Sequence, residues 1–254
     1  MPAPLNTFKK RLLARDIQIG LWVGLGAPAV AELASGTGFD WLVLDGEHGP
    51  NRLQELLAQL RAVGQSGAHP VIRLRDDNRA EIKQALDIGA QTLLIPMIET
   101  AAQAQEAVRS VLYPPQGVRG VGAALARASG YGSVGDYLTT ANDQICLLLQ
   151  VESRAGLAAL DDIAAIDGVD GVFIGPADLA ADMGFPGNPG HADVQAAVSD
   201  AFTRIHAAGK AAGILTSDRT LAKGYAEAGV EFLAVGSDVG VLRGALVALR
   251  KGFT

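Results

Sequence analysis

Four consecutive residues, Asp45-Gly46-Glu47-His48, put two carboxylates and an imidazole at one point of the chain. An imidazole exchanges protons near neutral pH, and a neighbouring carboxylate orients it and raises its basicity. The plainer alternative is a turn with a helix cap. Further on, Val71-Ile72-Arg73-Leu74-Arg75 sets an arginine inside an apolar run. A guanidinium there needs an anion, because a buried unpaired charge is costly. It serves either an ion pair of the framework or a carboxylate or developing enolate of a substrate. Arg73 and Arg75 share parity, so a strand would point both the same way. Two more apolar runs end in acids, Gln150-Val151-Glu152 and Gly175-Pro176-Ala177-Asp178. On adjacent strands, about 4.8 Å apart, Glu152 and Asp178 reach one cation. Two carboxylates with substrate oxygens and waters suit Mg²⁺ or Mn²⁺. They read equally well as caps of the helices that follow. Asp87 ends a helical stretch, where an acid opposes the helix dipole; it is expected to serve something outside its own helix.

The elements that must position these residues are legible as a repeat. Eight short apolar runs recur: 19–24, 41–45, 70–74, 92–96, 145–151, 171–174, 211–215 and 232–235. They are continuous rather than alternating, as expected of parallel strands covered on both faces. Helical patterns lie between them at 28–35, 53–63, 79–88, 101–110, 154–166, 193–208, 219–228 and 239–250. Gly64, Gly89, Gly209 and Gly229 follow several of these, as helix stops do. Eight strand–helix units in 254 residues predict one (β/α)8 barrel, domain 1–254, with active-site residues at the strand C-termini. An open doubly wound sheet is the alternative, but Gly24-Leu25-Gly26 lacks the third glycine of a dinucleotide-binding turn. Residues 113–144 form one long glycine-rich connection, with a short strand expected at 118–121. Thr216-Ser217-Asp218 and Gly236-Ser237-Asp238 read mainly as helix caps, a phosphate-binding corner being the lesser alternative.

Composition narrows the chemistry. One cysteine excludes an intramolecular disulfide framework and disfavours a cysteine-held metal. A net charge of −6 is not the basic footprint of a nucleic-acid binder. No apolar run approaches the roughly 20 residues that span a bilayer, and the N-terminus lacks a secretory pattern, so a cytoplasmic protein without membrane partners is expected. A Schiff-base aldolase needs a desolvated lysine, yet none of the six lysines falls at a strand C-terminus. A three-histidine zinc site needs converging histidines, and of the four here only His48 is well placed. His69, His191, His206 and Cys146 read as structural. What remains is a carboxylate-held divalent metal, one histidine and one arginine, a set suited to polarising a 2-oxo acid and stabilising its enolate.

The stretch Phe39-Asp40-Trp41-Leu42-Val43-Leu44-Asp45-Gly46-Glu47-His48-Gly49-Pro50-Asn51 resembles the signature of the HpcH/HpaI aldolases, pyruvate-dependent class II enzymes. Pro96-Met97-Ile98-Glu99-Thr100, Tyr113-Pro114-Pro115-Gln116-Gly117-Val118-Arg119-Gly120, Gln150-Val151-Glu152-Ser153 and Ile174-Gly175-Pro176-Ala177-Asp178-Leu179 agree in order and spacing. The resemblance implies a (β/α)8 barrel of the phosphoenolpyruvate/pyruvate type. It implies His48 as proton acceptor, Arg73 as stabiliser of the enolate, and Asp87 as raising the basicity of the histidine, which the neighbouring Asp45 is expected to tune as well. It implies Gln150 and the Ala177 backbone as substrate contacts, and Glu152 and Asp178 as ligands of Mg²⁺, Mn²⁺ or Co²⁺. It further implies a 2-oxo acid and an aldehyde as reaction partners, and a homohexamer in which the last helix is exchanged between neighbours. Two other classes are weighed against it. A CoA-ester lyase of the same superfamily would need basic residues for a phosphoadenosine, and this chain has few. A non-catalytic 2-oxo acid binding protein would need no proton-transfer group, and His48 is intact.

Overall fold

The computed structural model describes residues 1–64 and 66–253. The chain runs α1 (Thr7–Leu13), β1 (Gln18–Val23), α2 (Pro28–Ser35), β2 (Trp41–Asp45), α3 (Leu53–Val63), β3 (His69–Arg73), α4 (Arg79–Asp87), β4 (Thr92–Ile95) and α5 (Ala101–Val111). After a long connection that includes α6 (Tyr137–Thr140) come β5 (Cys146–Val151), α7 (Arg154–Ala158), α8 (Leu160–Ala164), β6 (Gly171–Ile174), α9 (Pro176–Asp182) and α10 (Ala192–Ala207). The chain closes with β7 (Ala211–Leu215), α11 (Arg219–Glu227), β8 (Phe232–Ser237) and α12 (Asp238–Lys251). The eight strands pair in parallel, each with its sequence neighbour, and β8 returns to β1 to close a barrel. This is the (β/α)8 architecture that the repeat predicts.

Two apolar layers hold it. One lies between the strands and the surrounding helices, with Leu42, Leu44, Ile72, Leu93, Leu147 and Ile174 facing outward. The other fills the barrel interior with Trp22, Trp41, Val43, Val71, Leu94, Leu148, Phe173 and Phe232. Because side chains alternate along a strand, continuous apolar runs supply both layers at once. The interior is full enough that Gly20 cannot carry a side chain: a Cβ there would strike the Trp41 ring. The helix α1 plugs the lower end, where Phe8 stacks on His69 with ring centroids 5.2 Å apart and meets Trp41 edge-on. Burial pushes His69 down to about 4, so it packs there as a neutral ring.

Three expectations need correction. The stretch 118–121 forms no strand: the Val118 and Arg119 amides donate to Arg109 and Leu112 carbonyls at the end of α5, a turn that spends their ladder capacity. The connection packs along α4, where Arg79 donates to the Val118 carbonyl and Arg127 Nη1 to the Ile88 carbonyl (2.8 Å), and is tied to the N-terminal arm by the Ala3 amide on Thr140 Oγ1 (2.8 Å). The helical stretch 154–166 is two helices, broken at Ala159. Arg75 lies beyond the end of β3 and pairs with Glu81 at 2.7 Å, so it does not follow Arg73 inward. Among the described residues no helix is long and apolar enough to cross a membrane.

Candidate active site

The alternation that fills the barrel also builds its upper mouth. On β2, Trp41, Val43 and Asp45 share one face; on β3, Val71 and Arg73; on β5, Cys146, Leu148 and Gln150. Asp45 pairs in register with Arg73 across β2 and β3. Asp45, Arg73 and Gln150 thus form the polar top of an otherwise apolar interior.

Arg73 is buried and fully engaged on its inner side. Its Nε donates to Asp45 Oδ1 (2.9 Å) and its Nη2 to Asp45 Oδ2 (2.6 Å). Its Nη1 lies 2.6 Å from Glu47 Oε2, and the guanidinium sits over the Trp22 ring at 4.9 Å. Asp45 also accepts from Trp22 Nε1 (3.2 Å) and from the Glu47 and His48 amides (3.0 and 3.3 Å). Burial would raise the Asp45 carboxyl, but the Arg73 hydrogen bonds and charge, with the two turn amides, hold it below the usual carboxylate range. Asp45 is therefore the anchor of Arg73 and of the 45–48 turn. A group lowered in this way stabilises the fold fully above its unfolded value, and that stabilisation disappears as pH falls through the lowered one. Replacing Asp45 with asparagine leaves a buried guanidinium with Glu47 as its one ionic partner. We expect a loss of about 3 kcal/mol at neutral pH, measured by urea unfolding. The deficit should shrink in acid, where wild-type Asp45 is protonated too.

Glu152 and Asp178 come together at the exits of β5 and β6. Neither is a cap. Ser153 caps α7 by accepting from the Gly156 amide (3.1 Å), and Asp178 stands in the first turn of α9, which starts from Gly175 without a side-chain cap. Glu152 Oε1 accepts from the Met97 amide (2.9 Å), and Oε2 accepts from Gln150 Nε2. A Cβ at Gly175 would strike Glu152 Oε2, so only glycine leaves room for the carboxylate there. The Glu152 carboxyl is raised, chiefly by burial; the Gln150 and Met97 hydrogen bonds oppose this, and the charges of Asp178 and Glu47 add to it. Glu47 is raised as well, by burial first, against the pull of Arg73 and His48, with Asp45 and Asp178 adding. Asp178 is exposed and makes no hydrogen bond or ion pair among the described residues. Three carboxylates thus repel one another around one mouth. A divalent cation between Glu152 and Asp178 relieves that repulsion, so the residues present fit a carboxylate-held metal. Among the described residues no third ligand completes a cluster, which leaves coordination positions for substrate and water.

The imidazole of His48 projects from the β2 exit and is 69% exposed. Its nearest acid is Glu47, at 4.0 Å. Neither acid expected to tune it reaches it within the chain. The Asp45 carboxylate meets only the His48 amide. Asp87 closes α4 at the lower end and pairs with Arg119 at 2.8 Å, beneath the Tyr113 ring that the guanidinium also faces. Ala177 stands exposed on the first turn of α9, beside Asp178. The caps at the β7 and β8 exits are as expected: Asp218 accepts from the Thr220 and Leu221 amides, and Ser237 from the Gly240 amide. Three contributors were not singled out from sequence. Glu47 enters the sequence reading only as part of a cluster, and Trp22 and the Met97 amide do not enter it as site groups. The parity of Trp22 with Asp45 could have marked the second; a backbone donor leaves no signal in residue types.

The HpcH/HpaI aldolase/citrate lyase family matches residues 18–245. The chain is 59% identical over 253 residues to the hydroxypyruvate/pyruvate aldolase of Pseudomonas aeruginosa, covering 100% of this chain and 94% of that protein. It is 52% identical over 248 residues to the 4-hydroxy-2-oxo-heptane-1,7-dioate aldolase of Escherichia coli, covering 98% and 95%. A crystal structure of an HpcH/HpaI aldolase/citrate lyase family protein from Burkholderia cenocepacia superposes with a TM-score of 0.94 at 40% identity, over 98% of this chain and 100% of that one. The family match spans most of the chain, and the barrel superposes on that of a solved member: the chain belongs to the HpcH/HpaI aldolase/citrate lyase family.

Proposed function

We propose that the protein reversibly cleaves 4-hydroxy-2-oxo acids into a 2-oxo acid, pyruvate or hydroxypyruvate, and an aldehyde. The observation that carries this reading is the buried Arg73, held by Asp45 and Glu47 at the mouth that also carries the carboxylates of Glu152 and Asp178. Of its five N–H donors, two bond Asp45, and Nη1 lies against Glu47 as an ion pair. The remaining N–H groups are available to the substrate oxygen on which negative charge develops as the carbon–carbon bond breaks. Glu152 and Asp178 would hold a divalent ion, Mg²⁺, Mn²⁺ or Co²⁺, which when bound acts as a Lewis acid on the 2-oxo group. His48 takes the proton of the C4 hydroxyl, so that its oxygen becomes the aldehyde oxygen and the bonding pair stays with the 2-oxo acid. Gln150 Oε1 is buried without a hydrogen-bond partner among the described residues. A substrate hydroxyl would satisfy it, which favours a hydroxylated 2-oxo acid alongside pyruvate.

The test is release of 2-oxo acid from a panel of 4-hydroxy-2-oxo acids, with and without His48→Ala. We expect cleavage of at least one panel member, and a loss of about 100-fold in kcat for the variant. The loss stays at the low end because the imidazole is exposed and water partly replaces it. No release from any member, or full activity in the variant, would sink the assignment.

The proposed assembly draws its support from α12. Val241, Leu242, Leu246 and Leu249 are 63%, 48%, 56% and 64% exposed. Beside them an apolar groove of ≈630 Å³ is lined by Leu21, Leu25, Leu33, Phe39, Val241 and Leu242. An exposed apolar stripe next to an apolar groove supports exchange of this helix between copies, in a homohexamer. Light scattering is expected to give six times the chain mass of 26.2 kDa, and Leu246→Asp a smaller species. A monodisperse monomer at micromolar concentration would contradict it.

A further inference from the structure

Between β4 and α5 the chain must turn within five residues, and one of them, Met97, does so with φ = +56°. Residues with a side chain seldom adopt this left-handed region, because Cβ crowds the following carbonyl. Two other non-glycine residues share it among those described, Arg15 and Tyr131, and neither stands at a strand exit. Packing does not explain Met97: its side chain is 49% exposed. Its backbone does. The Met97 amide donates to Glu152 Oε1 (2.9 Å), while the next amide, of Ile98, donates to the Gln150 carbonyl (3.0 Å) and so continues along β5. Two successive amides therefore serve a side chain and a main chain in different directions, and the left-handed residue provides the change of direction between them. Glu152 has one other donor, Gln150 Nε2 on its second oxygen. With Gly175 against that oxygen, the Met97 amide is what fixes the rotation of the carboxylate.

We propose that the left-handed turn at Met97 is a positioning device for Glu152, setting the direction of its free lone pairs and hence the affinity of the Glu152–Asp178 pair for a divalent cation. This rests on the reading that those two acids hold the metal. Groups that orient a ligand from behind typically change metal affinity by about 10–100-fold when lost.

The conformation and the side chain can be separated by substitution. Glycine and asparagine enter the left-handed region readily, whereas a β-branched valine is all but excluded from it. Mn²⁺ titration, followed by the electron paramagnetic resonance signal of the free ion, reads affinity without turnover. Met97→Gly and Met97→Asn are expected to bind Mn²⁺ within about twofold of wild type, and Met97→Val about 10-fold more weakly. If valine prevents folding, Met97→Ala decides, with affinity expected between wild type and a 10-fold loss and below that of Met97→Gly. Wild-type affinity in Met97→Val, or alanine binding as tightly as glycine, overturns the inference. So does equal weakening in the glycine, asparagine and valine variants, which would assign the effect to the methionine side chain. Glu152→Gln separates the two levels. If it loses Mn²⁺ while Met97→Val keeps it, the positioning role alone is wrong. If Glu152→Gln binds Mn²⁺ as wild type does, the metal assignment fails and the inference with it.

Discussion

Arg73→Ala is expected to lower kcat for retro-aldol cleavage by about 10³-fold, the scale set by losing a preorganised donor to a developing oxyanion. Three features of the site justify so large a figure. The guanidinium is buried, so its field is poorly screened. It is fixed before substrate arrives, by two hydrogen bonds to Asp45, by Glu47 and by the Trp22 face. The cations nearest the strand exits are engaged elsewhere: Arg75 is turned outward onto Glu81, Arg154 beyond β5 pairs with Asp182, and Lys210 opens β7 at the lower end. Alanine also leaves Asp45 and Glu47 facing each other without a cation, which perturbs the fold. Arg73→Lys separates the two effects. It keeps the charge near the two acids, but an ammonium cannot hold both in a planar fork and still face the substrate. We expect about a 100-fold loss in kcat with a small change in unfolding midpoint. Steady-state cleavage rates and urea unfolding on the same preparations check this. A lysine variant that keeps the wild-type rate would reduce Arg73 to a framework ion pair, the alternative its position in an apolar strand always allowed.

Strand chemistry was legible in the sequence to the extent that it depends on alternation. Eight apolar runs, each followed by a helical pattern, become eight strands in one closed barrel, because residues at both parities are apolar and both layers need them. The same alternation puts Arg73 on the face of Asp45, and the exits of β5 and β6 carry Glu152 and Asp178. Arg75 failed because parity holds only while the strand lasts, and β3 ends at Arg73. The strand expected at 118–121 failed because local turn bonds to the end of α5 took its amides. Asp87 shows a different limit. An acid at a helix C-terminus disfavours its own helix, and the structure supplies a partner, Arg119, 32 residues away and invisible to any local pattern. Glu47 was hidden for the opposite reason. It sits so close to His48 and Asp45 that residue types alone could not say which acid faces the imidazole, which holds Arg73, and which looks toward the metal pair.

Glu152→Gln should abolish cleavage, with at least a 10³-fold loss in kcat/KM, and exhaustive chelation of the wild-type enzyme should do the same until Mg²⁺, Mn²⁺ or Co²⁺ is restored. The reasoning starts from the donor count. Glu152 and Asp178 are the two carboxylates available, since among the described residues no cluster of three ligands forms. Removing one leaves a single carboxylate, too few to retain a divalent ion against water. Glutamine keeps the size of the side chain and an oxygen for the Met97 amide, so the local fold has no reason to collapse. It also removes the burial of a charge that holds the Glu152 carboxyl above its ordinary value, so the variant should be no less stable than wild type when both are free of metal. That gives the experiment two opposed readouts: activity lost, thermal midpoint in chelator kept or raised. A variant that is inactive and also unstable would point to a framework role for Glu152. Activity that survives chelation would remove the metal from the reaction and leave Arg73 as the one cation facing the substrate. Borohydride reduction in the presence of pyruvate then becomes the deciding measurement. It should trap no adduct, because no lysine stands at the mouth of the barrel to form one.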